Sequence, residues 1–506
     1  MTVRRLSTED IVRISLIRDL DLSEVEREDY LALCNDVLGG YDALDALPEP
    51  SYPVIKAVRD PGRRPTRDED PLNGVVRFCE VRAVTPSGDA LEGLGIGVKD
   101  TVAVAGVPIS CGSRLLYDYT PEIDATVVRR ILDAGGRITA TLNTDDFAFS
   151  GAGHTSVYGP GQNPAEPGHA AGGSSCGSVI AAATGLVDIA LGGDQGGSIR
   201  IPASWSGIVG HKPTHGLVPY TGIVGFDQTI DHIGPMTRTV EEAALMLGVI
   251  AGVDDTAIDP RQPRTITVPD YRAALTGRVD DLSIAVIEDG FGTPDSMAEV
   301  DDAVRKAARV FADAGARVES VSLPEHAWTV PIWNAVAIEG GVDSFYHGHA
   351  AYQTKGHFNT RLMSAMRRAV KTHGGDFSAT AKLGVLLYDY MSDQYDGLFY
   401  GKAQNLARQL TAAYDRVFAK YDLVLMPTTP QTAHPAIPDA VSDRRTHITQ
   451  ALNMVRNTAT FNLTGHPAIS VPCHGISGLP VGLMLAGRQF QDDVVLRASH
   501  AYMAAS

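Results

Sequence analysis

Two Gly-Gly-Ser triplets in one stretch, GHAAGGSSCGSVIAAATGLVDIALGGDQGGSIRIPA (residues 168 to 203), constrain this chain more than any other feature. One ends at Ser174, the other at Ser198. Glycine marks backbone held in an unusual conformation, or backbone that something must approach closely. Two serines on two such turns therefore mark a tight packing junction, a ligand site or a reactive site. Between them, SVIAAATG reads as a buried helix of small residues, and LVDIAL as a strand leading into GGDQGGS.

The surroundings alternate strand and helix, which predicts a layered α/β domain. LGIGV (94–98) is a short strand ending at Lys99. DATVVRRILDAGG (124–136) reads as a capped amphipathic helix followed by the strand RITATL. LSIAVI, a helix over 298–314 and ARVESVSL form a further β-α-β unit, and YDLVLMP, AISVP and VGLMLAG read as core strands. Ahead of this domain, STED at Ser7 and SEVE at Ser23 to Glu26 predict two capped helices, the second closing at Gly39 and Gly40. A linker rich in proline and charge, Pro48 to Pro71, puts the boundary near residue 72. That divides the chain into a helical domain with its linker over 1–72 and a catalytic domain over 73–506. The section 341–401 is helical and rich in aromatics (Phe345, Tyr346, Tyr352, Phe358, Tyr388, Tyr390, Tyr395, Phe399 and Tyr400), a wall for an apolar substrate or a subdomain whose aromatics simply pack.

Composition removes several classes of function. With 43 Lys and Arg against 60 Asp and Glu, the net charge of −17 opposes a phosphate-backbone partner, so nucleic acid is not expected. No stretch approaches the roughly 20 apolar residues of a membrane span, and the charged N-terminus is no signal peptide. Five scattered cysteines without a C-x-x-C pair argue against a disulfide framework or a zinc site and for a reducing cytoplasm. A small molecule is the expected partner, with neither metal nor cofactor.

Four chemistries compete for the two turns. Phosphate binding lacks the Walker lysine and the dinucleotide pattern. GSSCG at 173–177 matches a nucleophile elbow by letters, but NPAEPGHAAG before it cannot be the strand that motif needs. Cys176 as a thiol nucleophile has no activating partner in the sequence, and reads better as a small residue filling a turn. The fourth combines both serines with Lys99. A lysine at the end of an apolar strand must find a carboxylate or lose its proton, and neighbouring Asp100 points to the opposite face. A neutral lysine is a good general base. A serine–histidine arrangement is open in principle, but nothing local favours His154, His169, His211, His215, His232 or His466, which read as hydrogen-bonding or surface residues.

Lys99, Ser174 and Ser198 stand 75 and 24 positions apart, within GVKD, GGSS and GGDQGGSIRIPASWSGIVGHKPTHGLVPYTG; IDHIGPMTRTV and YDLVLMPTTP follow. From about residue 73 to the C-terminus the chain resembles the amidase signature family, and its DQGGS version with the helical extension is most similar to bacterial amidases associated with nitrile metabolism. The resemblance implies a central mixed β-sheet flanked by helices, with an N-terminal helical domain and a helical insertion. It implies Ser198 as nucleophile, Ser174 as proton bridge with a cis peptide on its N-terminal side, and Lys99 as neutral base. It further implies an oxyanion hole from the backbone amides of Gln195, Gly196, Gly197 and Ser198, and an acyl-enzyme released by water. Ser175 is a supporting residue on the same turn, and Asp194 and Arg200 are expected to pair and stiffen the nucleophile turn. Cys176 departs from the glycine most members carry. The expected partner is a small amide, the expected assembly a homodimer through the N-terminal helices. Two alternatives share the acyl-enzyme: an amide-forming acyltransferase, and the amidase component of a tRNA-dependent amidotransferase.

Overall fold

A computed structural model describes residues 3–50, 52–117, 119–254, 259–347, 355–435 and 441–505. The chain forms two compact units that meet between Tyr52 and Pro53. In the first, helices Thr8–Ile17 and Glu24–Asp45 both start in capping boxes, at Ser7 with Asp10 and at Ser23 with Glu26. The second helix does not close at Gly39 and Gly40 as the sequence suggests. Its last turn continues to Asp45 because Asp42 is tied to the Val3 amide at 2.7 Å and to Arg5 at 2.6 Å. That anchoring outweighs a glycine cost of about 1 kcal/mol per residue.

Among the described residues, the second unit is built on a mixed sheet of β1 (Ala57–Arg63), β2 (Val75–Ala83), β3 (Gly95–Lys99), β4 (Arg137–Leu142), β5 (Ile189–Asp194), β6 (Val209–Lys212), β7 (His232–Thr237), β8 (Ser283–Ile287), β9 (Arg317–Val321), β10 (Leu423–Pro427), β11 (Ala468–Ile476) and β12 (Leu479–Gly487). Their order across the sheet is β1-β2-β4-β3-β5-β7-β6-β11-β12-β10-β8-β9. β4, β3 and β5 run parallel to one another, as do β10, β8 and β9. Alternation along β5 sends Ile189 and Leu191 into one apolar core and Ala190 into another, where it meets Val179 and Ile180 of helix Cys176–Thr184. The sheet thus has a core on each face, the α/β layering expected from the sequence.

The linker reading needs correcting. Residues 57–63 are the edge strand β1, paired antiparallel with β2, so the unit boundary lies near residue 52 rather than 72. An edge strand tolerates the charges that made it look like a linker, and Arg59 docks it through Asp124 at 2.6 Å. That engagement also takes Asp124 away from the helix start: Thr126–Asp133 has no side-chain cap, and Asp124 accepts instead from Arg59 and the amides of Ile55 and Ala105. β5 begins three residues later than LVDIAL suggests and runs through Gly192 and Gly193. A Cβ on Gly192 would lie 2.5 Å from Met236 Sδ, so this glycine belongs to close strand packing rather than to a turn. The segment 341–401 is helical over Val342–Tyr346, Thr360–His373, Ala379–Tyr395 and the start of Leu398–Phe418; Tyr352 lies outside the described residues.

Candidate active site

The three parallel strands β4, β3 and β5 end on the same edge of the sheet, where α/β folds place their ligands. Lys99 is the last residue of β3, in register with Leu142, the last of β4, and one beyond the pairing of Val98 with Leu191. The amine is 1% exposed. Its Nζ lies 2.7 Å from Ser174 Oγ and 3.4 Å from the Gly193 carbonyl oxygen, and no carboxylate among the described residues forms an ion pair with it. Burial lowers its pKa to about 8, against the opposing pull of Asp145. Asp100 is engaged elsewhere, accepting from the amide and hydroxyl of Ser110 at 2.9 and 2.6 Å.

Ser174 follows a cis peptide from Gly173, immediately before helix Cys176–Thr184. Gly173 sits against a carboxylate: a Cβ there would lie 2.1 Å from Asp145 Oδ2 and 2.5 Å from the Gly153 nitrogen. Asp145, in the loop after β4, accepts from the amides of Gly153 and Thr155 and from the Thr155 hydroxyl, which stitches this loop beneath the Ser174 turn. Ser175 donates its hydroxyl to the Gly193 carbonyl at 3.1 Å and its amide to the Ser198 carbonyl at 3.3 Å. These bonds bring the two Gly-Gly-Ser turns side by side. Cys176 is fully buried, and burial pushes its thiol pKa up, which suits a packing residue and not a nucleophile.

Ser198 follows β5 on a turn stiffened from beneath. Arg200 forms a bidentate pair with Asp194 (2.9 and 3.0 Å), both side chains fully buried. Burial alone would raise the Asp194 pKa; the Arg200 guanidinium outweighs it and holds the carboxylate below its usual range. Asn462 completes the cluster, accepting from Arg200 and donating to Asp194 at 2.8 Å each. The Gly197 amide donates to Asp194 Oδ1 at 2.8 Å, so it is engaged within the turn. The glycines themselves answer to neighbours: a Cβ on Gly196 would sit 2.7 Å from the Trp333 ring, and one on Gly197 2.3 Å from Thr458 Oγ1.

Three cavities meet at this point. A small one, about 20 Å³, holds Ser198 among Phe149, Ile201, Phe226, Trp333, Leu452 and Val455. A second, about 10 Å³, lies against Lys99, Thr101, Cys111 and Tyr220, and shares Ala148, Gln195 and Phe226 with the first. Each takes about one water-sized group. The largest, about 650 Å³, does not touch Ser198 but shares Tyr220, Val224, Gly225 and Phe226 with the lysine-side cavity, as an outer vestibule would. Phe147 and Ala148 hold left-handed backbone (φ 47° and 60°) at this junction, the kind of strain found at functional sites.

The aromatic section divides. Phe358, Tyr388 and Tyr400 line the vestibule together with Asp227, Asp343 and Glu339, while Phe345 packs against Phe147 and Phe149, and Tyr390, Tyr395 and Phe399 are exposed. None of them lines the Ser198 cavity, whose apolar surface comes from elsewhere in the chain. Five of the six histidines weighed as bases bond away from the serines: His154 to the His447 carbonyl, His211 to Asp492, His215 to the Gln228 carbonyl, His232 to the Ile230 carbonyl and His466 to Thr464 and Asp415, while His169 Nδ1 is buried without a partner among the described residues. Asp145, Phe226, Trp333, Thr458 and Asn462 are site neighbours that no local motif marks. Trp333 donates its indole N–H to the Gln195 carbonyl at 2.9 Å across 138 positions of sequence.

Comparison with known proteins places the chain in a family. The model of the amidase family matches residues 80–496. The chain is 43% identical over 443 residues to an enantioselective amidase of Rhodococcus rhodochrous, covering 86% of this chain and 84% of that protein. It is 37% identical to one component of the glutamyl-tRNA(Gln) amidotransferase of Geobacillus thermodenitrificans, covering 81% and 83%. Among solved structures it is similar to the peptide amidase of Stenotrophomonas maltophilia (28% identity, TM-score 0.66, 82% of each chain) and to a bacterial aryl acylamidase (26% identity, TM-score 0.68, 83% and 84%). The chain belongs to the amidase family, and it is an amide hydrolase.

Proposed function

We propose that the chain hydrolyses small carboxylic amides through an acyl-enzyme on Ser198, with Ser174 and Lys99 moving the proton. The observation that carries this reading is the 2.7 Å contact of an amine, buried without a carboxylate partner, with the hydroxyl on the neighbouring turn. Ser198 Oγ attacks the amide carbon while its proton passes to Ser174 Oγ, whose own proton passes to Lys99 Nζ. The C–N bond then breaks as the relay reverses and protonates the departing nitrogen. Water repeats the cycle on the ester and releases the acid. With the Gly197 amide committed to Asp194, the amides of Gln195, Gly196 and Ser198 are the donors for the oxyanion, each worth about 3 kcal/mol in such sites.

The cavities suggest how the substrate lies. Its reacting carbonyl lies at the Ser198 cavity, its nitrogen faces the lysine side, and the vestibule takes the bulk of the substrate and releases the amine. The helical section supplies part of that vestibule wall. Ser198→Ala should abolish hydrolysis of a panel of aliphatic and aromatic amides; near-normal turnover would overturn the assignment. Because several relatives are components of amidotransferases, the purified chain should be assayed alone, and hydrolysis without partners supports the stand-alone reading. The N-terminal helices leave Leu16, Ile17, Val25, Val37, Leu44 and Leu47 exposed, which supports a homodimer.

A further inference from the structure

Gln195 carries a buried acceptor that nothing fills. The residue is 6% exposed, and its Nε2 donates to the Tyr220 hydroxyl at 2.9 Å. That contact engages the NH₂ end of the side chain and leaves its carbonyl oxygen as the unpaired end. There Oε1 is buried and has no hydrogen-bond partner among the described residues. Native structures seldom leave such a group unmatched, because losing its water costs free energy that no bond returns.

Its position says what would match it. Gln195 lines both the lysine-side cavity and the Ser198 cavity, at the wall they share. Its Nε2 and Lys99 Nζ each lie 3.6 Å from the Cβ position of Gly193, so the side-chain amide and the amine border the same spot. The scissile nitrogen must come there to be protonated through Ser174, and in a primary or secondary amide it carries an N–H. We infer that Gln195 Oε1 accepts the N–H of the scissile amide, oriented by Tyr220, so that the site selects amides over esters of the same acid. An ester presents an oxygen lone pair there, and a tertiary amide presents carbon; both leave the acceptor empty. Tyr220 is a positioning residue, itself held by its amide on Asp259 at 2.8 Å and by the Arg261 guanidinium 4.8 Å over its ring. The inference rests on the reading of Ser198 as nucleophile.

The test compares kcat/KM for a primary amide and for the methyl ester of the same acid, in wild type, Tyr220→Phe and Gln195→Met. Each variant should lower the amide-to-ester ratio about tenfold or more, with the larger effect in Gln195→Met. A parallel fall of both substrates, or an unchanged ratio, overturns the inference, since a merely structural role moves both alike. Should either variant melt before assay, the wild type alone still decides. It should strongly prefer the primary amide to its N,N-dimethyl analogue beyond their difference in alkaline hydrolysis, and an equal preference overturns the inference. An active Ser198→Ala would sink the underlying mechanism; an inactive one, together with an unchanged ratio in Tyr220→Phe and Gln195→Met, sinks only the role of Gln195.

Discussion

Lys99 does its proposed work only when neutral, and burial brings that form within reach near pH 8. With its pKa lowered to about 8, kcat/KM should rise with pH and level off above that value; a flat profile from pH 5 to 9 would contradict the base role. Asp145 is the largest opposing influence, holding the ammonium form. Asp145→Asn should therefore move the ascending limb to lower pH, which a kcat/KM profile reads directly. The same burial costs stability. Below pH 8 the folded chain encloses a charged amine that the unfolded chain leaves in water, and between about 8 and 10.5 the unfolded chain binds the extra proton, so stability rises with pH there. Lys99→Met should consequently raise the melting temperature at pH 7, by about 1 to 3 kcal/mol of stability, while activity falls about a thousandfold. A variant both less stable and still active would reverse this account.

The element that matters most is the pair of glycine-rich turns, and its tolerance is set by contacts from distant segments. Gly173→Ala would drive a methyl to within 2.1 Å of Asp145 Oδ2 and 2.5 Å of the Gly153 nitrogen, neither of which can move without breaking the loop under Ser174. We expect a loss of about 2 kcal/mol or more in thermal or denaturant unfolding, together with loss of activity. On the other turn, the bidentate Arg200–Asp194 pair is closed by Asn462, 268 positions from Asp194. Asn462→Leu would leave both buried groups short of a partner and should destabilise by about 1 to 3 kcal/mol. An unfolding midpoint equal to wild type would show that the cluster does not need its third member.

Across the whole molecule, two units divide the labour. The second holds Lys99, Ser174 and Ser198, while the helical first unit exposes more apolar surface than so short a segment usually leaves in water. Light scattering on the full chain should give the mass of a dimer. A charge at one exposed position, Val37→Glu, should shift that mass toward the monomer without touching Lys99 or either serine. A wild type that is monomeric at micromolar concentration would end the dimer reading.

How far the sequence reached follows from how local each feature is. Strands β3, β4, β8 and β10, the helix start at Ser7 and the capping box at Ser23 were legible because apolar runs and cap residues act over a few positions. So was the candidate trio of Lys99, Ser174 and Ser198, flagged by glycines and a lysine where a strand should end. What only the tertiary structure decided depends on which partner each group meets once the chain has folded. Asp124 cannot cap its helix because Arg59 claims it, and residues 57–63 are a strand because β2 offers an edge. The Gly197 amide is engaged within its turn because Asp194 takes it, and the walls around Ser198 come from Phe149, Phe226, Trp333 and Leu452. Composition and spacing assign a residue its chemistry; which partner satisfies each buried polar group is settled only when the chain has brought all of its competitors together.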